Sequence, residues 1–436
     1  MDNYAKIQMK KLIFTLTLAF ATVCGFAQEN SVVTDYHYRS GTVHFNGQFT
    51  NGTSQDFPKQ ILLIFRNEFT NTEVNSLVKV DADGTFASDV YVPHSTTVYL
   101  SADSYTGTLP NDLYFFVGDT VTLSVDVATR NTSIAPGSIC YWVDRCRPIS
   151  QEPYAKSPYG DLSEYSRIYK QGRKAVEDYC RNTGKVMEKV MKDIDEGCFV
   201  LPADINPIAA EIIKNDAIYE GLYNMMSLRS MYNYTAFYPK FDSISGRTVP
   251  VKNETFEPLD NKWFYKFLKK HEKRLLDNPK ALLYSVAGSL VNCAEFGIYE
   301  ELKFYSNEIV LPVTGGTSQE IQDYAFGFVM PTDYDAQFLQ AVLPMRNDTL
   351  LTVSDYWSLA MECSSKATGL SANSFMGQWC MMRGIFGFKI KEHENTPDYV
   401  ASYVAGTMPY ITSPIISHHF IKAYREFVKK FEIKTT

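Results

Sequence analysis

The sequence holds 436 residues, 45% of them hydrophobic and 14% aromatic, with a formal net charge of −7. Length and apolar content suffice for a packed core divided into about two or three domains, and 21% charged residues exclude a wholly disordered chain. The acidic balance, with no dense basic stripe, gives no electrostatic footprint for nucleic acid or an anionic membrane.

Lys10 and Lys11 precede the apolar run 12-LIFTLTLAFATVCGF-26, and 25-GFA-27 puts small residues at the two positions a signal peptidase reads. Residues 1–27 are expected to be a cleaved signal peptide, with Met9 as an alternative start. A lipid anchor on Cys24 would need a small residue just before it, where Val23 stands. No later run approaches the ~20 apolar residues of a membrane helix. The expectation is an exported, soluble, periplasmic protein without a transmembrane segment. Residues 1–27 carry a net +2, so the mature chain stands at −9.

Seven cysteines remain after cleavage: Cys140, Cys146, Cys180, Cys198, Cys293, Cys363 and Cys380. Their odd number leaves at least one free or paired between chains. Cys140 and Cys146 flank 141-YWVDR-145, which a short disulfide loop could span; separate half-buried thiols fit equally well.

Between about 36 and 135 the pattern has period two. Val43, Phe45 and Gly47 alternate with polar residues in 41–50, and 60-QILLIFRNE-68 is an apolar run of strand length. Asp83-Gly84 joins two strands in 77-LVKVDADGTFASDVYV-92 as a hairpin would. Strands at 96–103 and 113–128, the latter broken at Gly118-Asp119, complete an expected antiparallel β-sandwich over residues 36–135. Residues 136–161, with Pro148, Pro153, Pro158 and Gly160, predict a linker holding at most a short helix.

From 162 to 436 the period becomes 3.6, predicting a mainly α-helical domain and an α+β multidomain chain. Asn206-Pro207 caps a helix whose stripe is Ile208, Ile212, Tyr219, Leu222 and Met226. A continuous helix is predicted over 261–276, carrying Phe264, Phe267, Leu268, His271 and Leu275. Asn278-Pro279 opens another over 280–296, with Leu282, Val286, Leu290 and Cys293 inward. Ser413-Pro414 starts the last, striped by Ile416, Phe420, Tyr424, Phe427 and Phe431. Residues 237–257, with Pro239, Gly246 and Pro250, predict a long loop.

The stretch 377-GQWCMMRG-384 begins as a thioredoxin site does, yet Arg383 stands where a resolving cysteine is required. Phe375, Trp379, Met382 and Phe386 lie at offsets of one helix face, so Cys380 is expected in a packed helix. His418-His419 point about 100° apart on a helix and are expected to be a solvated pair rather than zinc ligands. His271 is expected to be a hydrogen-bonded core residue. Histidines 37, 44, 94 and 393 have no cysteine or carboxylate at ligand spacing. Asp81 and Asp83 resemble the start of a calcium loop, but Val92 stands at its twelfth position, and a turn explains both. The run 193-DIDEG-197 reads as a glycine-stopped helix end. Glu300 and Glu301 diverge on a helix. No catalytic, cofactor-binding or metal-ligating residue is nominated, and no cofactor is expected.

The segments LYFFVGDTVTLSVD (113–126), VKVDADGTF (78–86), Gly137-Ser138, PIAAEIIKNDAIYEGLYNMM (207–226) and residues 263–296 together are similar to one known arrangement. The chain resembles, over about residues 36–430, the N-terminal region of exported Gram-negative TlpA/ResA-like thioredoxin proteins. That resemblance implies a sandwich, a helical spacer and then a thioredoxin domain with WCxxC, which residues up to Thr436 do not supply. The leading expectation is therefore a non-catalytic exported binding or accessory protein for a protein, peptide or envelope component. The alternative is a thiol–disulfide oxidoreductase whose redox domain is truncated here or supplied in trans. Glycan binding through exposed Tyr and Trp of the sandwich face is a third reading.

Overall fold

A computed structural model describes residues 38–103, 109–110, 112–155, 165–242, 247–297, 368–389, 404 and 407–434. Its first part contains β1 (Gly41–Thr50), β2 (Gln60–Asn67), β3 (Thr72–Lys79), β4 (Thr85–Val92), β5 (Thr96–Ala102), β6 (Leu113–Phe115), β7 (Thr120–Asp126) and β8 (Asn131–Ile134). They form two four-stranded sheets, β4-β1-β7-β8 and β3-β2-β5-β6. Neighbours are antiparallel except β1 and β7, which run parallel.

The period-two pattern has a direct cause. Val43, Phe45 and Phe49 of β1 and Ile61, Leu63 and Phe65 of β2 are buried in one cluster shared by both sheets. Phe45 meets Phe86 of its own sheet at 5.2 Å and Phe115 of the other at 5.5 Å. Gly47, expected among the apolar positions, has a different task. A Cβ there would lie 1.9 Å from the Leu123 carbonyl oxygen, so only glycine lets β7 approach.

The Asp83-Gly84 turn forms as its chemistry requires. Gly84 takes φ 84°, and Asp83 Oδ1 accepts from the Thr85 N–H at 3.0 Å. Yet the strands it joins are not a hairpin. After a single Val80–Phe86 bridge they diverge, β3 onto β2 and β4 onto β1. Local turn chemistry fixes the reversal, whereas burial of each apolar face selects the strand partner.

Among the described residues seven longer helices follow: α1 (Ile139–Ala155), α2 (Arg173–Asp195), α3 (Pro207–Tyr234), α4 (Lys262–Lys270), α5 (Ala287–Gly297), α6 (Phe375–Gly384) and α7 (Pro414–Lys434). Helix α1 replaces the linker expected at 136–161. It contains Pro148 and Pro153, each of which removes a helical hydrogen bond. Packing on both sides outweighs that loss: Cys140 enters the sheet core while Trp142, Val143 and Cys146 enter the helical core. Cys140 and Cys146 therefore sit in different cores as free, buried thiols, and no disulfide joins them.

Asn206 caps α3 as expected, accepting from Ile208 N at 2.8 Å. The predicted helix over 261–276 is instead α4 and one turn at Glu272–Leu275, with the break at His271. The 280–296 segment divides into a 3-10 turn (Pro279–Leu283) and α5, and Val286, expected inward, is 37% exposed. Residues 237–257 are not a loop throughout. They contain the antiparallel ribbon β9 (Phe237–Asp242) and β10 (Arg247–Lys252), in which Pro239 faces Pro250. A two-stranded ribbon has N–H groups on its open edges, so proline is tolerated there and the pattern hides the strands. No helix among the described residues is long and apolar enough to cross a membrane.

Candidate functional site

The end of β2 meets the helical region at one carboxylate. Glu68 is 8% exposed, and Arg383 of α6 reaches its Oε2 with NH1 at 2.6 Å. The same guanidinium donates through Nε to Glu295 Oε2 of α5 at 3.3 Å and through NH2 to Asn71 Oδ1 at 3.3 Å. The Glu68 carbonyl accepts from Trp379 Nε1 at 3.0 Å. Burial pushes the Glu68 carboxyl up, and the Arg383 charge opposes that rise. Gly288, in the first turn of α5, gives this carboxylate its room: a Cβ there would stand 2.1 Å from Glu68 Oε1.

Next to Glu68, two buried histidines bracket Phe69. His94 meets its ring edge-on at 5.4 Å, and His419 stacks on it at 3.7 Å. The backbone fixes both imidazoles. His94 accepts from Glu68 N at 3.1 Å and donates to Ser95 O at 2.8 Å; His419 donates to Tyr38 O at 2.8 Å. Desolvation lowers His94 to about 4 and holds His419 well below its ordinary value. Both stay neutral at pH 7.

Above this junction lies a cleft of about 630 Å³ between the outer face of β2, β3 and β5 and the residues leading into α5. The sheet side presents Ile64, Arg66, Glu73, Thr97 and Tyr99; the helical side presents Tyr223, Ser289, Asn292 and Cys293. Its back is stitched shut, because Thr97 Oγ1 donates to Ser285 O and Tyr114 OH donates to Leu283 O at 2.9 Å. Behind this wall runs a buried polar row on α3. Asp216 Oδ1 accepts from Ser285 N at 3.1 Å, and Tyr284 OH donates to Glu220 Oε2 at 2.8 Å. Desolvation raises Asp216 to about 8 and Glu220 in the same direction.

Cys380, the most provocative residue of the sequence, is 3% exposed inside α6, and its Sγ lies 3.9 Å from Val291 O. Burial raises this thiol well above its ordinary value. Trp379, Phe375, Met382 and Phe386 are buried as the stripe predicted, but so is every other side of α6. His418 is exposed while His419 is buried, so the pair is not jointly solvated. His271 is half-buried and holds Glu188 Oε1 at 3.0 Å. His44 meets Asp89 on an exposed face. Gly197, at φ 71°, follows the end of α2 as read from 193–197. His37, Glu300, Glu301, Cys363 and His393 lie outside the described residues.

Sequence reasoning missed Glu68, His94, Glu295 and Arg383, the first two of which lie some 200 positions or more before the last two. Two signals were present. Glu68 ends the apolar strand QILLIFRNE, and Arg383 interrupts the otherwise uncharged FMGQWCMMRGIF. A charge in a wholly buried segment demands a partner.

Comparison with protein-family models, curated proteins and solved structures gave no match to this chain. Among the described residues, no three His, Cys, Asp or Glu side chains gather as metal ligands. Chemically, the arrangement offers a floor whose charged side chains sum to zero, with Arg383 ion-paired to Glu68, under a rim of neutral hydroxyl, amide and phenol groups. Groups of this kind can make hydrogen bonds and ring contacts.

Proposed function

We propose that the chain is an exported, non-catalytic binding protein of the cell envelope, built from a β-sandwich and a helical domain. In this reading it is related to the N-terminal region of TlpA/ResA-like thioredoxin proteins, and the cleft between its two parts takes the ligand. One observation carries the reading: among the described residues at the cleft and its floor, Arg383 and the two cysteines are already committed or desolvated. Arg383 is spent on Glu68 and Glu295, and burial raises Cys380 and, on the cleft wall, Cys293, the latter to about 11. A thiol must be a thiolate to act as a nucleophile. Neutral rim groups remain, and they suit reversible recognition.

The test has two arms. Insulin reduction by the exported chain should stay at background; activity abolished by Cys380→Ser overturns the non-catalytic reading. A dialysable envelope extract should raise the melting temperature of the chain but not that of a Ser289→Trp variant, whose new ring fills the cleft from an exposed helical position. Equal stabilisation of both proteins overturns the cleft as the binding site.

A further inference from the structure

Resting on the reading of the cleft as a binding site, the geometry points to a ligand class: a neutral saccharide, an oligosaccharide segment without carboxylate or phosphate groups. The charge count comes first. Among the cleft's lining residues, the charged side chains are Arg66 and Arg383 against Glu68 and Glu73. Arg383 binds Glu68, and Arg66 stands opposite Glu73 in the β2–β3 register with NH1 held by Asn71 Oδ1 at 2.7 Å. The floor's two arginines and two carboxylates therefore sum to zero, and an anionic ligand finds no net positive charge there. An uncompensated ligand charge gains nothing there and loses its hydration.

An extended peptide fits poorly for a different reason. Peptides that pair with sheets add to a free strand edge, but this cleft lies on the face of the sheet. Its floor strand β2 already has β3 on one side and β5 on the other, so its backbone groups are used.

What the cleft does offer is planar rings next to neutral donors and acceptors. Tyr99 is 50% exposed on the floor, and Tyr223 faces the cleft from α3. Around them stand Thr97, Ser289 and Asn292. A pyranose has one C–H-rich face for a phenol ring and an equator of hydroxyls for amides and hydroxyl groups. Rings flanked by a few placed polar groups give both affinity and orientation. The volume of about 630 Å³ falls within the roughly 300–1,000 Å³ of small-molecule sites, enough for several sugar units.

The experiment is saturation-transfer NMR on the exported chain with four neutral tetrasaccharides, of glucose, mannose, galactose and N-acetylglucosamine, beside tetragalacturonate and an Ala/Ser tetrapeptide. Alkylation of Cys293 at about pH 9.5, where the small thiolate fraction of a thiol raised to about 11 still reacts slowly, followed by peptide mass mapping, reports where binding occurs. The proposal expects transfer to at least one neutral tetrasaccharide, slower Cys293 alkylation in its presence, and at least tenfold weaker binding in Tyr99→Ala and in Asn292→Ala. Both positions are exposed, so both variants should keep the wild-type melting temperature. Silence from all four neutral sugars overturns the proposal, as does sugar binding that leaves Cys293 unprotected. If only the tetrapeptide protects Cys293, the saccharide class fails while the cleft stands as a binding site. If a probe binds without protecting Cys293, the cleft reading fails as well.

Discussion

Replacing Arg383 by Met tests the junction between the two parts. The guanidinium is 2% exposed and makes four hydrogen bonds, to Glu68 Oε2, Glu68 O, Glu295 Oε2 and Asn71 Oδ1. Methionine fills similar volume but takes the guanidinium away from two buried carboxyls. Breaking a buried ion pair from one side costs about 3–5 kcal/mol, because the remaining charge is uncompensated. Against a total stability of roughly 5–15 kcal/mol, that loss is large. The loss also depends on pH. Burial already raises the folded pKa of Glu68, and Arg383 restrains it; without the arginine it rises further. A carboxyl with a raised folded pKa favours folding below its unfolded value and opposes folding as pH climbs through the folded value. Urea melts followed by circular dichroism should therefore show a penalty of about 4 kcal/mol at pH 8, in line with the buried-pair range above, and a smaller one at pH 5. The triple variant Glu68→Gln, Glu295→Gln, Arg383→Met should recover most of the loss. A penalty below about 1 kcal/mol, the scale of an exposed pair, or one that is equal at both pH values, would refute the reasoning.

Asp216→Asn should stabilise the protein by about 2–4 kcal/mol at pH 7 and have little effect at pH 3. The folded carboxyl, raised to about 8, stays protonated where the unfolded one ionises; a destabilised variant at pH 7 would contradict this. His94 contributes the opposite slope. Its folded value of about 4 makes stability complete above about 6.5 and drains about 3 kcal/mol as pH falls from there to 4. His94→Gln keeps an acceptor for Glu68 N and should flatten that part of the profile in acid melts. Gly288→Ala should cost about 1–3 kcal/mol, because its methyl meets a Glu68 carboxylate that Arg383 holds in place; an unchanged urea midpoint would show that Glu68 can move aside.

Much of the backbone was legible because its causes are local. Strands β1 and β2 follow from alternation, the start of α3 from Asn206-Pro207, and the burial of α6 from its stripe. The failures share one cause, tertiary packing overriding a local signal. Pro148 and Pro153 spoke for a linker, but α1 has two cores to fill. Pro239 and Pro250 hid a ribbon whose open edges accept them. The Asp83-Gly84 turn was legible, but not that its strands part to different sheets. The candidate site was almost illegible, since positions 68, 94, 295 and 383 meet only after the sheets and helices pack. His419 shows the point in miniature: its neighbour His418 is exposed, while His419 lies stacked on Phe69, 350 positions away in the chain.

The most direct test of the central claim is calorimetric titration of the chain and its Ser289→Trp variant with the best-binding neutral tetrasaccharide. The account predicts a saturable heat with one site per chain in the first protein and none in the second, while both melt at the same temperature without sugar. Equal heats in the two proteins would contradict it.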